Sequence, residues 1–457
     1  MSTTFNVRFW EIQKKAKRRR PYGVRWVTDT QEHSEWFANK AQANSRRSEL
    51  MRAARTGEPF EVRSGLPLSE VKRRDSLSFL EFAQSYMDMK WPAAAATSRA
   101  GIVDGLSSAG AAFVKDGPGR PSVRELRRVL SWYLLPPPAR AAEVPEQDAE
   151  IVSWLVRNSR PLYELTETPV IRDVLDALTV KLDGSPVSEK LYRRKRSALY
   201  NLLSYAVERE LIPDNPIVRV KHSVAKGVDQ VDPGVVAKPR QVRELLTALT
   251  YVGERDPDRG RRLVAFFATI YYAGARPGEV MGLRDTDCTL PDDGRWGELV
   301  LGETRPAAGK RWTDSGEAHD QRGLKHRSPK ERRHVPIPPA LVAILRRHID
   351  TYGTSEDGRL FRSPRGAAVQ SSTYGRVWQE ARLYALTDAQ RRSMLAAVPY
   401  DLRHACVSLW LNSGLPATEV AARAGHSVDV LLKVYAKCID GQRERMNSLI
   451  ETALEDH

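Results

Sequence analysis

The residues best suited to chemistry lie in the second half of the chain, at four separated positions. Arg276 falls between two predicted helices in GARPGEV, where Pro277 takes the favoured first position of the second helix. Arg403 lies in the first turn of the helix predicted from PYDLRHACVS, His426 lies in a turn between helices, and Tyr435 follows nine residues later. Each signal is weak alone, because such arginines are usually at the surface and such tyrosines are usually packed.

Two further positions accompany this set. Glu279 lies three residues after Arg276, one turn into the same helix. The stretch GLKHRSPKERRHVPIP, residues 323–338, alternates toward a strand and is typical of the second half of a β-hairpin. Lys325 and Lys330 are the candidates to point from this hairpin, although a lysine there is normally only solvated.

Taken together and in this order, GARPGEV, the hairpin lysine, DLRH, AGHS and the tyrosine of VYAKC resemble the tyrosine recombinase (phage integrase) family. The residues of these motifs are similar to those of integrases from actinobacterial phages or integrative elements, and the resemblance is strongest over residues 240–457. It implies a site-specific recombinase that cleaves and rejoins DNA strands to integrate or excise a mobile element. A type IB topoisomerase-like enzyme and a catalytically inactive DNA-binding regulator are the alternatives.

The resemblance implies a role for each motif residue. Tyr435 would attack the scissile phosphate, forming a 3′-phosphotyrosyl link and releasing a 5′-hydroxyl. Arg276 and Arg403 would clamp the non-bridging oxygens, on which charge grows in the transition state. Because two guanidiniums supply this positive charge, we expect no metal ion and no cofactor.

The remaining roles concern proton transfer and support. Lys325 would protonate the leaving 5′-oxygen, with Lys330 as the alternative because the alignment of the hairpin is loose. His426 would hydrogen-bond to the phosphate or the nucleophile. Glu279 would orient neighbouring arginine or histidine side chains.

Tyr400 departs from the family pattern, which usually has a histidine three residues before the arginine of DLRH. A phenol can donate a hydrogen bond to a phosphate but is a poor proton acceptor at neutral pH. We therefore expect Tyr400 to contact the phosphate or support Arg403, and the proton of Tyr435 to leave by another route. The adjacent His404 is interpreted as a buried structural histidine on another side of the helix.

The composition agrees with a nucleic-acid partner. The 457 residues carry a formal net charge of +15, which favours binding to a polyanion such as the double-stranded DNA of attachment sites. The sequence contains no apolar run of 18 residues and no apolar signal core, so we expect a cytoplasmic, nucleoid-associated protein without membrane contact. Its three cysteines form neither a disulfide framework nor a metal-ligand pattern.

The predicted fold is mainly α with small β parts, in three domains. A strand-rich arm-type DNA-binding module is expected over residues 1–62, a helical core-binding (SAM-like) domain over 77–218, and a mixed α/β catalytic domain over 240–457. The length fits two to four domains, and residues 63–76 and 219–239 are interpreted as linkers.

Two basic clusters are the candidate DNA contacts outside the catalytic domain. One lies in a turn between strands and the other near the start of a helix, and either could instead be solvated surface. Their members are Lys14, Lys15, Lys17, Arg18, Arg19 and Arg20 in the turn, and Arg193, Arg194, Lys195 and Arg196 in the helix.

The resemblance also implies an assembly. Four copies would act as a homotetramer on two duplexes, with a possible accessory directionality factor. The tail after Tyr435 has apolar residues at helical spacing, which suits docking on a neighbouring subunit or packing on its own domain. These residues are Met446, Leu449, Ile450 and Leu454.

Overall fold

The computed structural model describes residues 2–222, 230–254, 256, 258–323, 331–438, 447, 450–452 and 454. The chain divides into two compact units, residues 1–94 with 98–226 and residues 95–97 with 227–457. Helices predominate and the strands form small antiparallel sheets, so the predicted fold class is confirmed. The finer division into three domains stays a prediction.

The first unit begins with short strands. They are β1 (Thr3–Thr4), β2 (Val7–Phe9), β3 (Gln13–Lys14), β4 (Tyr22–Thr28), β5 (Gln31–Phe37) and β6 (Phe60–Glu61). Strand β4 pairs with β2, β3 and β5, and β1 pairs with β6. Alternate residues Val24, Trp26 and Thr28 are buried, which is the period-two pattern of a strand with one face in the core, and these strands agree with the strand-rich segment expected over residues 1–62.

Helix α1 (Lys40–Arg55) covers this sheet and contributes Leu50 to its core. The core also includes Leu66 and Val71, which lie beyond the predicted boundary at residue 62. Residues 63–76 are therefore not a simple linker, because helix α2 (Leu68–Arg74) buries Val71 completely. A short helix with a single buried contact leaves little hydrophobic periodicity in the sequence to predict it.

The rest of the first unit is helical, as predicted. Serine caps set three of its helix starts. Ser78 and Ser122 each form a reciprocal capping box with a glutamate three residues on, and Ser188 accepts from the backbone N–H of Leu191. Its helices are α3 (Phe79–Lys90), α4 (Ala96–Ala112), α5 (Val123–Val129), α6 (Glu146–Asn158), α7 (Thr168–Ala177) and α8 (Glu189–Glu208).

Among its described residues up to Cys438, the second unit contains ten α-helices. They are α9 (Pro239–Ala248), α10 (Asp258–Arg261), α11 (Val264–Tyr272), α12 (Pro277–Val280), α13 (Pro339–Tyr352), α14 (Ser371–Ala385), α15 (Asp388–Arg392), α16 (Asp401–Asn412), α17 (Ala417–Ala424) and α18 (Val428–Tyr435). Helix α11 is apolar on all sides and lies in the middle of the core, where almost all of its residues are buried.

A strand-rich insert separates α12 from α13. Its strands are β7 (Cys288–Thr289), β8 (Gly297–Leu301), β9 (Glu303–Thr304), β10 (Arg322–Gly323) and β11 (Arg333–Ile337). Strand β11 pairs antiparallel with β8, which also pairs with β7, and β9 pairs with β10. The strand expected from HVPIP is thus present, whereas Lys325 and Lys330 lie outside the described residues.

No helix in the described part of the chain is both long enough and apolar enough to cross a membrane.

Candidate active site

Arg276 lies at the break between α11 and α12, as the sequence predicted. It is the N-cap residue of α12, and its backbone N–H donates to Glu279 Oε2 at 2.8 Å. Its guanidinium donates to Glu279 Oε1 at 2.8 Å and to the carbonyl of Gly425 at 3.1 Å. Burial opposes the charge on Arg276, but Glu279, with a smaller contribution from Tyr400, raises its pKa overall. A half-buried cation therefore lies at the end of an apolar helix.

Glu279 is almost completely buried and bridges two arginines. Besides Arg276, it accepts two hydrogen bonds from Arg333, whose guanidinium nitrogens lie 2.7 and 3.2 Å from the carboxylate oxygens. Burial alone would raise its pKa, but Arg333, Arg276 and then Arg403 lower it to about 2. The carboxylate is thus ionised at neutral pH and fixes both arginines.

Arg333 is a member of this site that was not predicted from the sequence. It begins β11, where Arg333, Val335 and Ile337 are buried and the residues between them are more exposed. The alternation in RHVPI was the available signal, because it places the arginine on the same face as two core residues. Glu279 compensates the charge of this buried arginine.

Arg403 lies in the first turn of α16 and is fully buried. Its guanidinium donates to the carbonyls of Gly274 and Ala424, the latter at 2.5 Å, and to Nε2 of His426 at 2.8 Å. Burial and then Arg276 lower its pKa. The helix ends around residues 274 and 424 thus hold this cation with their unpaired carbonyl groups.

His426 is brought to Arg403 by the turn between α17 and α18. Gly425 ends α17 with φ 65° and ψ 48°, and a Cβ there would lie 2.2 Å from the Arg333 guanidinium. Because a guanidinium only donates, Nε2 of His426 accepts and Nδ1 carries the proton. That Nδ1 is buried without a hydrogen-bond partner among the described residues, and burial, Arg403 and Arg276 lower the pKa of His426 to about 3.

Tyr435 ends α18 and is fully buried. Its hydroxyl oxygen lies 2.9 Å from Nδ1 of His404, and its ring packs 6.2 Å from that of His426, centroid to centroid. Burial raises the pKa of the Tyr435 phenol, and Arg403 partly offsets this effect. Tyr435, nine residues after His426 in the sequence, therefore packs beside it in the fold.

His404 does not have the purely structural surroundings expected of it. Its ring contacts Tyr435 on one side, and the Tyr400 ring meets it edge to face at 5.1 Å. In the sequence, the adjacency of His404 to Arg403 was the available indication of a role in the site. Only the fold shows that α18, which carries Tyr435, passes beside His404. Tyr400 itself caps α16 and is about one third exposed, so it lies at the open side of the cluster.

The six residues Arg276, Glu279, Arg403, His426, Tyr435 and Tyr400, predicted from separate motifs, are thus brought together around α16. In the described part of the chain, no group of three histidine, cysteine, aspartate or glutamate side chains could hold a metal ion.

The basic turn of the first unit is exposed as predicted. All six of its lysines and arginines from Lys14 to Arg20 are exposed. Lys15 and Arg18 lie over the ring of Trp36, at 5.2 and 4.4 Å from its centroid, and Lys14 lies 5.8 Å from that of Tyr22. These cation–π contacts hold part of the charge against the sheet.

The basic cluster of α8 requires a correction. Lys195 is only 2% exposed and lies on the buried face with Tyr192 and Leu199, so it is not available to a DNA surface. The helical period explains this, because residues three and four apart share a face. Arg193 pairs with Glu189, Arg194 pairs with Asp104, and Arg196 is partly buried.

Comparison with known proteins gives one sequence relative and a structural match. No family profile matches the chain. An integrase of Streptomyces ambofaciens is 25% identical over 264 residues, which are 55% of this chain and 62% of that protein, so the chain spans less than two thirds of this relative.

The Tn1549 transposon integrase, in complex with transposon right end DNA, matches with a TM-score of 0.50 and 14% identity. The match covers 82% of this chain and 99% of that one, and it shows a shared fold. A lambda integrase dimer bound to a COC′ core site matches with a TM-score of 0.49 and 12% identity, over 94% of this chain and 95% of that one.

Proposed function

We propose that this chain is a member of the tyrosine recombinase (integrase) family and acts as a site-specific DNA recombinase with Tyr435 as its nucleophile. The carrying observation is that Arg276, Arg403, His426 and Tyr435 converge from four elements into one cluster. Arg403 donates to His426, Arg276 donates to the carbonyl of the preceding Gly425, and the ring of His426 packs against that of Tyr435. This is the set of groups that exchange of a phosphodiester through a covalent enzyme requires.

In the proposed reaction, Tyr435 attacks the scissile phosphate and the 5′-oxygen leaves. Arg276 and Arg403 oppose the charge that grows on the non-bridging oxygens. Glu279 keeps the guanidinium of Arg276 in place, and the carbonyls of Gly274 and Ala424 hold that of Arg403. The buried N–H of His426 supports this assignment, since an unpaired buried donor costs about 1–3 kcal/mol and a phosphate oxygen would accept from it.

The proton for the leaving oxygen comes, in this proposal, from Lys325, with Lys330 as the alternative. Tyr400 lies beside Arg276 and donates to the bound phosphate or supports the arginines. The chemistry needs no metal ion or cofactor, because the guanidiniums supply the positive charge.

DNA binding outside the active site is assigned to the exposed turn from Lys14 to Arg20 and to Arg193, Arg194 and Arg196 of α8. Aromatic rings beneath the turn hold its cations in a fixed position, which suits phosphate contacts. The proposed domains are an arm-type DNA-binding module extended to include α2, a helical core-binding domain over residues 77–218 and a catalytic domain over residues 240–457. Four copies would exchange strands between two duplexes of a mobile element and its target, with an accessory factor setting direction.

The test is formation of a covalent protein–DNA adduct. Purified protein is incubated with fragmented genomic DNA of the organism that carries the gene, and fragments retained after denaturation are sequenced. A synthetic duplex with the enriched sequence, called the target duplex below, then serves as substrate.

Tyr435→Phe should abolish the adduct and keep DNA affinity, because the ring still fills its buried site. The matched control is Tyr271→Phe, which removes the hydroxyl of another buried tyrosine of the same unit and should leave the adduct intact. Relaxation of any supercoiled plasmid without strand exchange would instead favour a topoisomerase. Binding without any adduct would favour a catalytically inactive regulator.

A further inference from the structure

The hydroxyl of Tyr435 has a histidine partner that is not the one in the AGHS motif. Nδ1 of His404 lies 2.9 Å from the hydroxyl oxygen, within the range of a good hydrogen bond. The two side chains come from different helices, with ring centroids 5.7 Å apart. The contact is therefore built by the fold and not by local sequence.

We propose that His404 is a catalytic residue that accepts the proton of Tyr435 as the phenol attacks. This inference rests on the proposed recombinase function and assigns the step that Tyr400 leaves open. The neutral imidazole accepts through Nδ1 and carries its own proton on Nε2.

Its neighbours do not offer an equivalent acceptor. His426 uses Nε2 to accept from Arg403, and its Nδ1 carries a proton. Arg276 and Arg403 only donate, and a neutral phenol such as that of Tyr400 is a poor base. Among the described residues around the Tyr435 hydroxyl, His404 is thus the group whose neutral ring can accept a proton from the reacting atom.

Burial and the neighbouring Arg403 keep His404 neutral, so its ring is free of a second proton, and they also make it a weaker base. It is faced by Arg403 of its own helix, Tyr400 before that helix and Tyr435 of α18, with His426 behind Tyr435. Burial, then Arg403, lowers the pKa of His404 to about 4, so it is neutral above that pH. The negative charge of a bound phosphate favours the imidazolium and so assists transfer once DNA is present.

The step balances without another reactant. The bond from the Tyr435 oxygen to phosphorus forms while the bond from phosphorus to the 5′-oxygen breaks. The phenolic proton passes to Nδ1 of His404, and the leaving oxygen takes a proton from the general acid. In the resealing step the same imidazolium returns its proton to the departing phenolate.

His404→Asn is the variant that separates positioning from proton transfer, because an asparagine amide can occupy the place of Nδ1 but is not basic. With the target duplex in a single turnover, we expect cleavage at pH 7 to fall by about 100-fold or more. Between pH 6 and 9 the variant should gain about tenfold per pH unit, since only the ionised fraction of Tyr435 attacks, whereas the parent rate stays flat. His334→Asn, an exposed histidine of the same unit, is the control and should keep the flat profile.

A substrate with sulfur in place of the bridging 5′-oxygen has a leaving group that needs no proton, so it bypasses the general acid but not the general base. Cleavage of this substrate by His404→Asn should therefore remain slow. Rescue by that substrate, or an unchanged flat profile in His404→Asn, would overturn the inference. If the variant does not fold, the pH dependence of the parent protein tests the inference. A parent cleavage rate that rises tenfold per pH unit from 6 to 9 would exclude a general base within the protein. Absence of any adduct with the parent protein would contradict the proposed function instead.

Discussion

The carboxylate of Glu279 is the electrostatic centre of the site, and Glu279→Gln tests this directly. One carboxylate accepts from the backbone and guanidinium of Arg276 and from two nitrogens of Arg333, all within 3.2 Å. A glutamine keeps the shape but removes the charge and turns one acceptor into a donor aimed at an arginine. Two guanidiniums would then lie beside each other with no anion between them.

The magnitude follows from the pKa of Glu279, which is about 2 in the folded protein against an ordinary 4.5. A difference of about 2.5 units is worth about 3 kcal/mol of stability, within the range for breaking a buried pair. Because the folded pKa is depressed, this stability is present above about pH 4.5 and is lost as the pH falls toward 2. The variant should therefore be less stable at pH 7 and show a weaker dependence on pH below 5.

Thermal unfolding of the full chain, followed by calorimetry at pH 7, measures the effect. A loss of about 3 kcal/mol in a unit of this size should lower the midpoint of its transition by about 6–12 °C. Glu244→Gln removes a surface carboxylate that pairs with Arg240, and it should shift the midpoint by no more than about 4 °C. Equal midpoints for Glu279→Gln and the parent would refute the assignment of Glu279 as the anchor.

Two further outcomes are expected. Tyr400→Phe should slow cleavage of the target duplex by about tenfold at most, because it removes one hydrogen-bonding hydroxyl and keeps the ring against His404. Complete loss of cleavage would contradict the supporting role of Tyr400. Lys195→Met should leave DNA affinity unchanged, because Lys195 is buried. Replacing both Lys15 and Arg18 by Ala should reduce the slope of log affinity against log salt concentration by about two. The reverse pattern would refute the assignment of the DNA contacts.

Much of the fold could be predicted from the sequence, because hydrophobic periodicity and the positions of proline and glycine indicate local structure. Alternation in residues 323–338 predicted the strand that became β11, and Pro277 marked the start of the helix after Arg276. The turn between helices that carries His426 was also expected. Helix α2 was missed, since its one fully buried side chain, Val71, gives no periodic signal.

The site was predicted as a set of motifs but not as a network. Arg333 and His404 gain their partners from elements distant in sequence, 54 residues away for Glu279 and 31 for Tyr435. Spacing along the chain cannot report such pairs, whereas the strand alternation at Arg333 could have indicated its burial. Lys195 shows the converse error, because a run of like charges hides that one member faces the core.

The most direct test of the central claim is to locate the covalent bond. After reaction with the target duplex and digestion by protease and nuclease, mass spectrometry should find the nucleotide on the peptide that contains Tyr435, as a phosphotyrosine ester. Attachment at another residue, such as Tyr400, or recombination of the duplex without any protein-linked nucleotide, would contradict the account.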